Sequence, residues 1–178
     1  FFYVPKVQAS QPNRQNLKTR FEIVPATFRD LTYIAANLRD ADVEEISCVD
    51  QEWHPQQVAH AAFSNSLIDC KFVVLRGSQP VAAFGASPFS AVDPDIWLAW
   101  AFGTDGMIRS VPTITRFLKE SFVPDLLSRS NVRRIQCFTL SSHDISHGWL
   151  KGLGAEYEGT MKSFGRGGED FDLYAWRK

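Results

Sequence analysis

The stretch Ile96–Ser110, IWLAWAFGTDGMIRS, decides the fold. Its first seven residues are apolar at nearly every position, so a strand there has no solvent-facing side and belongs in the middle of a sheet. Trp97 and Trp100 stand at an odd offset and point to opposite faces, which reads as packing on two layers rather than a stacking platform. Gly103-Thr104-Asp105-Gly106 ends the strand. A helical pattern follows from Met107 to about Ser128, with Pro112 expected in its first turn and Pro124 expected to kink or divide it.

Working outward, CKFVVLR (Cys70–Arg76) and VAAFGA (Val81–Ala86) flank the turn Gly77–Pro80 and read as a hairpin. Further upstream, RFEIVPA (Arg20–Ala26) is a short strand. Thr27, with Asp30 three residues on, is a helix cap ahead of Leu31, Ile34, Ala35 and Leu38. A second helix is expected over Asp40 to about Val49, with Val43, Ile46 and Cys48 or Val49 inward. A third starts at Pro55, in the favoured first position, with Val58, Ala62 and Phe63 inward. Downstream, RIQCFTL (Arg134–Leu140) is a strand, and Asp144 is expected to cap a helix through Leu153 that Gly154 ends. Two strands close the chain, near Tyr157–Ser163 and Phe171–Trp176, around the Gly165–Gly168 turn. Strands interleaved with crossover helices imply one α+β domain with a mixed sheet covered on both faces.

The 178 residues fit one domain, and a chain this long buries roughly 70% of its unfolded surface. A hydrophobic share of 44% and a charged share of 22% exclude a disordered or collagen-like chain. No apolar run approaches a membrane span and no signal peptide is visible, so the expected location is not secreted and not membrane-bound. The net charge of −1 gives no argument for nucleic acid as a partner. Cys48, Cys70 and Cys137 are odd in number and widely spaced, so they read as reduced core residues. The chain begins at Phe1 rather than Met, so these residues are not expected to be the translated start.

Charge is unevenly placed. Residues 1–20 carry Lys6, Arg14, Lys18 and Arg20 and no acid, leaving the rest at −5. Residues 1–19 read as an extended basic arm and 20–178 as the folded domain. The arm's tip, Phe1, Phe2, Tyr3 and Val4, is apolar. With Lys6 it is the expected partner-binding segment, because an aromatic tip is better placed docked on a protein surface than in water.

The order of elements, the strand–Gly loop–helix of IWLAWAFGTDGMIRS, and the run WLKGLGAEYEG (Trp149–Gly159) resemble the acyl-CoA N-acyltransferase (GNAT) superfamily. The resemblance covers roughly residues 20–177 and implies an α+β fold with a mixed, mostly antiparallel central sheet and helices on both faces. With AANLRDADVEEI (Ala35–Ile46), the chain is more specifically similar to GNAT-like internal virion or assembly proteins of short-tailed phages. That implies a virion or host-cytoplasm location and other virion proteins as partners. Acetyl-CoA is the cofactor if the chain is active, and none is expected otherwise.

In the family a Q/R-x-x-G-x-G/A loop cradles the CoA pyrophosphate on backbone N–H groups at a helix start. The matching residues here are Gly103, Thr104, Gly106, Met107 and Arg109, with altered glycine spacing and Asp105 where phosphates would lie. The bland alternative is a plain strand-to-helix connection with Asp105 as cap. A tyrosine in many members sits four residues before the Gly of the Leu-Gly pair, and here that position is Leu150, which has no proton to give. His147 and Tyr157 are the nearest substitutes for the catalytic acid. Glu44, Glu45 and Glu52 are candidate bases, or a solvated helix face. His143 and His147 have a metal-ligand spacing without a third ligand, so no metal is expected. Ser142-His143-Asp144 has triad residue types but not a triad's geometry. Gly165-Arg166-Gly167-Gly168 is a hairpin loop rather than a phosphate site. The departures favour a non-catalytic assembly protein, with an active acetyl-CoA-dependent N-acyltransferase on an unidentified amine as the alternative and a plain small-ligand binding module as a third reading.

Overall fold

The computed structural model describes residues 20–178, so the expectations for the arm, including Phe1, Phe2, Tyr3, Val4 and Lys6, lie outside the described residues. The elements run β1 (Phe21–Pro25), α1 (Phe28–Ala35), α2 (Asp40–Val49), α3 (Pro55–Asn65), β2 (Lys71–Arg76), β3 (Gln79–Pro88), β4 (Ile96–Gly103), α4 (Met107–Phe117), α5 (Val123–Ser128), β5 (Arg134–Leu140), α6 (Asp144–Gly152), β6 (Glu156–Met161) and β7 (Phe171–Arg177). The strands form one sheet in the order β1-β2-β3-β4-β5-β7-β6. Each neighbouring pair is antiparallel except β4 and β5, which are parallel. The expected mixed, mostly antiparallel α+β sheet is therefore observed.

Helices pack on both faces. On one face α4, α5 and α6 cover a core that includes Trp97, Ile114, Leu126, Ile135, Leu150 and Tyr174. On the other, α1 and α3 cover Val73, Ala83 and Phe102, with Trp100 packed alongside. Trp97 and Trp100 thus serve two layers, as their odd offset requires.

Local signals explain most helix starts. The Thr27 hydroxyl accepts from Asp30 N–H at 3.2 Å and donates to the Asp30 carboxylate at 2.6 Å, closing the expected cap on α1. Pro55 opens α3, and the Gln57 side chain reaches back to His54 N–H at 2.9 Å. Three expectations need correction. Pro112 lies inside α4 rather than in its first turn. Asp144 is the first residue of α6, whose cap position is His143 and carries no side-chain cap bond. In α3 the expectation holds, with Ala62 buried and Val58 and Phe63 half-buried against the same core, and Ala59 is buried beside them. In α2 Val43, Ile46 and Cys48 are half-buried and Val49 is exposed, but the one fully buried residue is Asp42, which apolar spacing did not select. That last departure follows from where α2 sits, at the end of the sheet rather than on its core.

Pro124 divides the long helix without breaking it. Leu118–Phe122 form a π-turn between α4 and α5, with Val123 N–H bonded back to Leu118. A wider turn relieves the clash of a proline ring with the preceding turn's carbonyl. It also keeps Leu118 and Phe122 inward, where Phe72, Phe84, Phe117 and Phe122 pack with ring centroids 5.2–6.4 Å apart.

Gly85 pairs with Trp100 across β3 and β4. A Cβ there would stand 2.6 Å from the Trp100 ring and closer still to the Cys70 carbonyl oxygen. Neither a backbone oxygen nor a packed indole can retreat cheaply. Gly85→Ala is expected to destabilise the fold by about 2–3 kcal/mol, read as a lower urea midpoint.

Candidate active site

The parallel pair is short. β4 and β5 are in register only from Ile96 to Leu98 against Arg134 to Gln136. Beyond that, residues 99–103 of β4 and 137–140 of β5 run on without pairing to each other. The sheet is parted at its centre, and the two strand ends form the lips of an opening.

Helix α2 spans those lips. Asp42 accepts from Gly103 N–H at 2.7 Å, and Arg39 N–H donates to Gly103 carbonyl at 2.9 Å. The Arg39 guanidinium holds both Asp42 oxygens at 2.9 Å. One turn on, Glu45 accepts from the Thr139 hydroxyl at 2.9 Å and from Leu140 N–H at 3.2 Å, and its carboxylate lies 3.1 Å from His143 Nδ1. Residues three apart on a helix share a face, so Asp42 serves the β4 lip while Glu45 serves the β5 lip. Each carboxylate satisfies a backbone donor that the parted sheet leaves unpaired. Burial and the Glu45 charge push the Cys137 thiol up to about 12, which makes it inert packing. Burial likewise raises Cys70 to about 11.

A second polar network adjoins the β5 lip. Asp172 accepts from the Ser141 and Thr160 hydroxyls, both at 2.7 Å. His147 lies 3.8 Å from the same carboxylate, with Nε2 3.2 Å from the Ser141 carbonyl and Nδ1 3.1 Å from the Tyr174 hydroxyl. The Tyr157 hydroxyl is 2.8 Å from Thr160 Oγ1, and its ring meets Tyr174 at 5.6 Å. The structure therefore brings His147 and Tyr157 into one network. Sequence reasoning missed Ser141, Asp172 and Tyr174. The available signal was the spacing of two between Asp172 and Tyr174, which places both on one face of β7. His143 and His147 do not converge, since their rings engage Glu45 and Tyr174 respectively. Burial raises the Tyr174 hydroxyl above its ordinary value, aided by the Asp172 charge.

Between α2, the end of β5 and the β6–β7 turn lies a cavity of about 350 Å³, whose walls include Glu44, Cys48, Ser141, Glu169 and Asp170. The Gly165–Gly168 segment is the expected hairpin loop. Its Gly167 N–H is taken by the Glu169 carboxylate at 3.0 Å, and Gly168 N–H by the Gly165 carbonyl.

No family model matches the chain, and no curated protein sequence does. Solved structures match over most of it. Ribosomal-protein-alanine N-acetyltransferase from Brucella melitensis aligns with a TM-score of 0.68 and 17% identity, over 88% of this chain and 99% of that one. A GNAT-family acetyltransferase from Bacillus anthracis aligns at 0.60 and 16%, over 90% and 96%. AAC(6')-Ib, solved with ribostamycin and coenzyme A, aligns at 0.63 and 14%, over 89% and 93%.

The fold is the GNAT fold.

At these identities the likeness is one of fold, and it does not bear on the expected similarity to phage virion proteins. Against the GNAT motif, the loop residues are placed as follows. Thr104 N–H bonds the Val81 carbonyl at 2.9 Å, Gly106 N–H the Thr104 hydroxyl at 3.2 Å, and Met107 N–H the Thr104 carbonyl at 2.9 Å. A Cβ on Gly103 would lie 2.7 Å from Met107, and one on Gly106 would lie 2.8 Å from Val81. Close packing on β3 and α4 already requires both glycines. Gly106 occupies the cap position of α4, so Asp105 does not cap it. Asp105 and Arg109 are exposed. Leu150, at the position of the family tyrosine, is buried in the core.

Burial alone would raise the Asp172 carboxyl, but the Ser141 and Thr160 hydroxyls and the His147 charge hold it below the ordinary carboxylate value. A depressed folded pKa adds stability above the unfolded value and loses it as pH falls through the folded one. Asp172→Asn is expected to cost about 1 kcal/mol near neutrality, with the difference closing at pH below about 4. Urea melts of both proteins across pH check this.

Proposed function

We propose that the protein transfers an acyl group from an acyl-coenzyme A thioester to an amine. The supporting observation is the parted centre of the sheet, in a fold shared over about nine-tenths of the chain with acetyltransferases. An extended ligand carrying amides can pair with unpaired strand edges as an added strand would. The pantetheine arm of coenzyme A is such a ligand, and Gly103–Arg109 with the start of α4 stand at the end of β4 for its phosphates.

On the acceptor side, the cavity walled by Glu44, Glu169 and Asp170 suits a cationic amine. Such an amine must lose a proton before attack. Glu45, joined to His143 at the β5 lip, is the base this reading assigns. On the leaving side, the network holds Tyr157 half exposed and His147 bonded through both ring nitrogens. Leu150 supplies no acid. A thiol has an ordinary pKa of about 8.5, so a coenzyme A thiolate can depart without a dedicated donor at modest cost.

One observation favours a second reading. Asp42 already occupies the Gly103 N–H at the lip, where an anionic or amide ligand would bind. A scaffold that keeps the fold without catalysis, including the assembly role on other protein chains implied by the sequence resemblance, accounts for that contact.

Titration calorimetry with acetyl-CoA, and desulfo-CoA as comparison, separates the two. Saturable micromolar binding supports transfer. A folded sample silent at millimolar ligand sinks it and leaves the scaffold. For the active protein, Glu45→Gln keeps an acceptor for Leu140 N–H but no base. It is expected to lower turnover about 100-fold while leaving acetyl-CoA affinity unchanged.

A further inference from the structure

The base assigned to the acceptor cavity does not line it. Glu45 is turned to the sheet, where the Thr139 hydroxyl and Leu140 N–H donate to its carboxylate at 2.9 and 3.2 Å. The acids that wall the cavity are Glu44, Glu169 and Asp170. Asp170 is taken by the Lys162 ammonium at 2.7 Å, and Glu169 by Gly167 N–H at 3.0 Å. The Glu44 side chain is 63% exposed. Among the described residues its carboxylate hydrogen-bonds to the His143 ring alone. A proton that leaves an amine in the cavity for Glu45 therefore has to cross from one carboxylate to the other.

His143 joins the two. Consecutive residues on a helix diverge by about 100°, so Glu44 and Glu45 reach opposite sides of a ring set between them. Nδ1 lies 3.1 Å from Glu45 and Nε2 3.4 Å from Glu44. The backbone holds the ring there. His143 N–H bonds the Leu140 carbonyl at 2.9 Å, and the His143 carbonyl accepts from Ser146 and His147 N–H at the start of α6. A carboxylate only accepts. The Glu45 contact is the shorter and the more buried of the two, so it places the proton of a neutral imidazole on Nδ1. Nε2 then presents a lone pair to the Glu44 carboxylate, two acceptors with no proton between them. A proton delivered to Glu44 completes that contact. Imidazole suits the place because it can take a proton at one nitrogen while giving one up at the other.

We propose, resting on the acyl-transfer reading, that Glu44, His143 and Glu45 form a proton relay from the cavity to the β5 lip. Glu44 is the group that meets the amine, and His143 is the residue that positions and links the two carboxylates. The ammonium of the acceptor gives one proton to Glu44. Glu44 passes it to His143 Nε2 as Nδ1 gives its own proton to Glu45. The amine nitrogen, now neutral, bonds to the acyl carbon, and the carbon–sulfur bond of the thioester breaks. The second nitrogen proton goes to the departing thiolate. The products are an amide, the coenzyme A thiol and one proton on Glu45, which returns to solvent by the same path.

The test gives the full chain acetyl-CoA and two small amines of similar shape. Ethylamine is a cation at neutral pH, and trifluoroethylamine is neutral there and has no proton to lose before attack. His143→Gln keeps a donor for Glu45 but passes no proton. It is expected to slow transfer to ethylamine about 100-fold through kcat, with KM and acetyl-CoA affinity unchanged, and to slow transfer to trifluoroethylamine by no more than about two-fold. Glu44→Gln changes an exposed side chain and is expected to show the same split. Equal slowing with both amines marks a structural role and overturns the relay, as does no slowing with either. A wild type that binds acetyl-CoA but acylates neither amine overturns it too, since the cavity then draws no proton from a small ammonium. A wild type silent to acetyl-CoA in calorimetry sinks the transfer reading itself, and the relay with it. A second readout needs no turnover. Nitrogen NMR of the imidazole-labelled chain is expected to find the proton of neutral His143 on Nδ1. A proton on Nε2 instead overturns the relay.

Discussion

A parallel strand pair only three residues long organises this molecule. β4 and β5 hold each other from Ile96 to Leu98 and then separate. Separation leaves backbone donors and acceptors on two lips, and buried unpaired groups are too costly to leave open. The chain answers with α2. Asp42 takes Gly103 N–H, Arg39 N–H takes the Gly103 carbonyl, and Glu45 takes Leu140 N–H with the Thr139 hydroxyl. A helix with little apolar burial is thereby fixed in place by charge-assisted hydrogen bonds, which are stronger than neutral ones.

The same contacts set the tension in the functional reading. An opening in a sheet is a place for an extended amide ligand, and the fold is that of acetyltransferases. Yet Asp42 already fills one lip, the loop glycines answer to packing by Val81 and Met107, and Leu150 stands in the core where a proton donor is expected. A fold hosts more than one function. What distinguishes catalysis from scaffold here is whether a ligand can displace a carboxylate held in turn by a bidentate arginine.

Around β5 the side chains alternate between two tasks. Cys137 and Thr139 face the side that carries Asp172, Tyr174 and α6, and there the polar network forms. Phe138 and Leu140 face the other side with Phe171, and there the Phe138, Phe164 and Phe171 rings pack together. One strand thus separates a hydrogen-bonded site from an apolar cluster by its pleat alone.

The sequence by itself determined the elements and the fold class. Thr27-x-x-Asp30, Pro55, the apolar run of Ile96–Phe102 and Gly154 act through local sterics and hydrogen bonding, which a linear reading captures. The family resemblance named His147 and Tyr157 as alternative acids in place of Leu150, and only the structure joins them in one network. Tertiary structure alone decided the parting of β4 and β5, because strand register depends on partners distant in sequence. It alone buried Asp42 and brought Glu45 to the β5 lip, beside the half-buried Val43 and Ile46 that apolar periodicity predicted. Periodicity finds the face a helix gives to an apolar core. It cannot find the face a helix gives to unpaired backbone, where the favoured neighbour is a carboxylate.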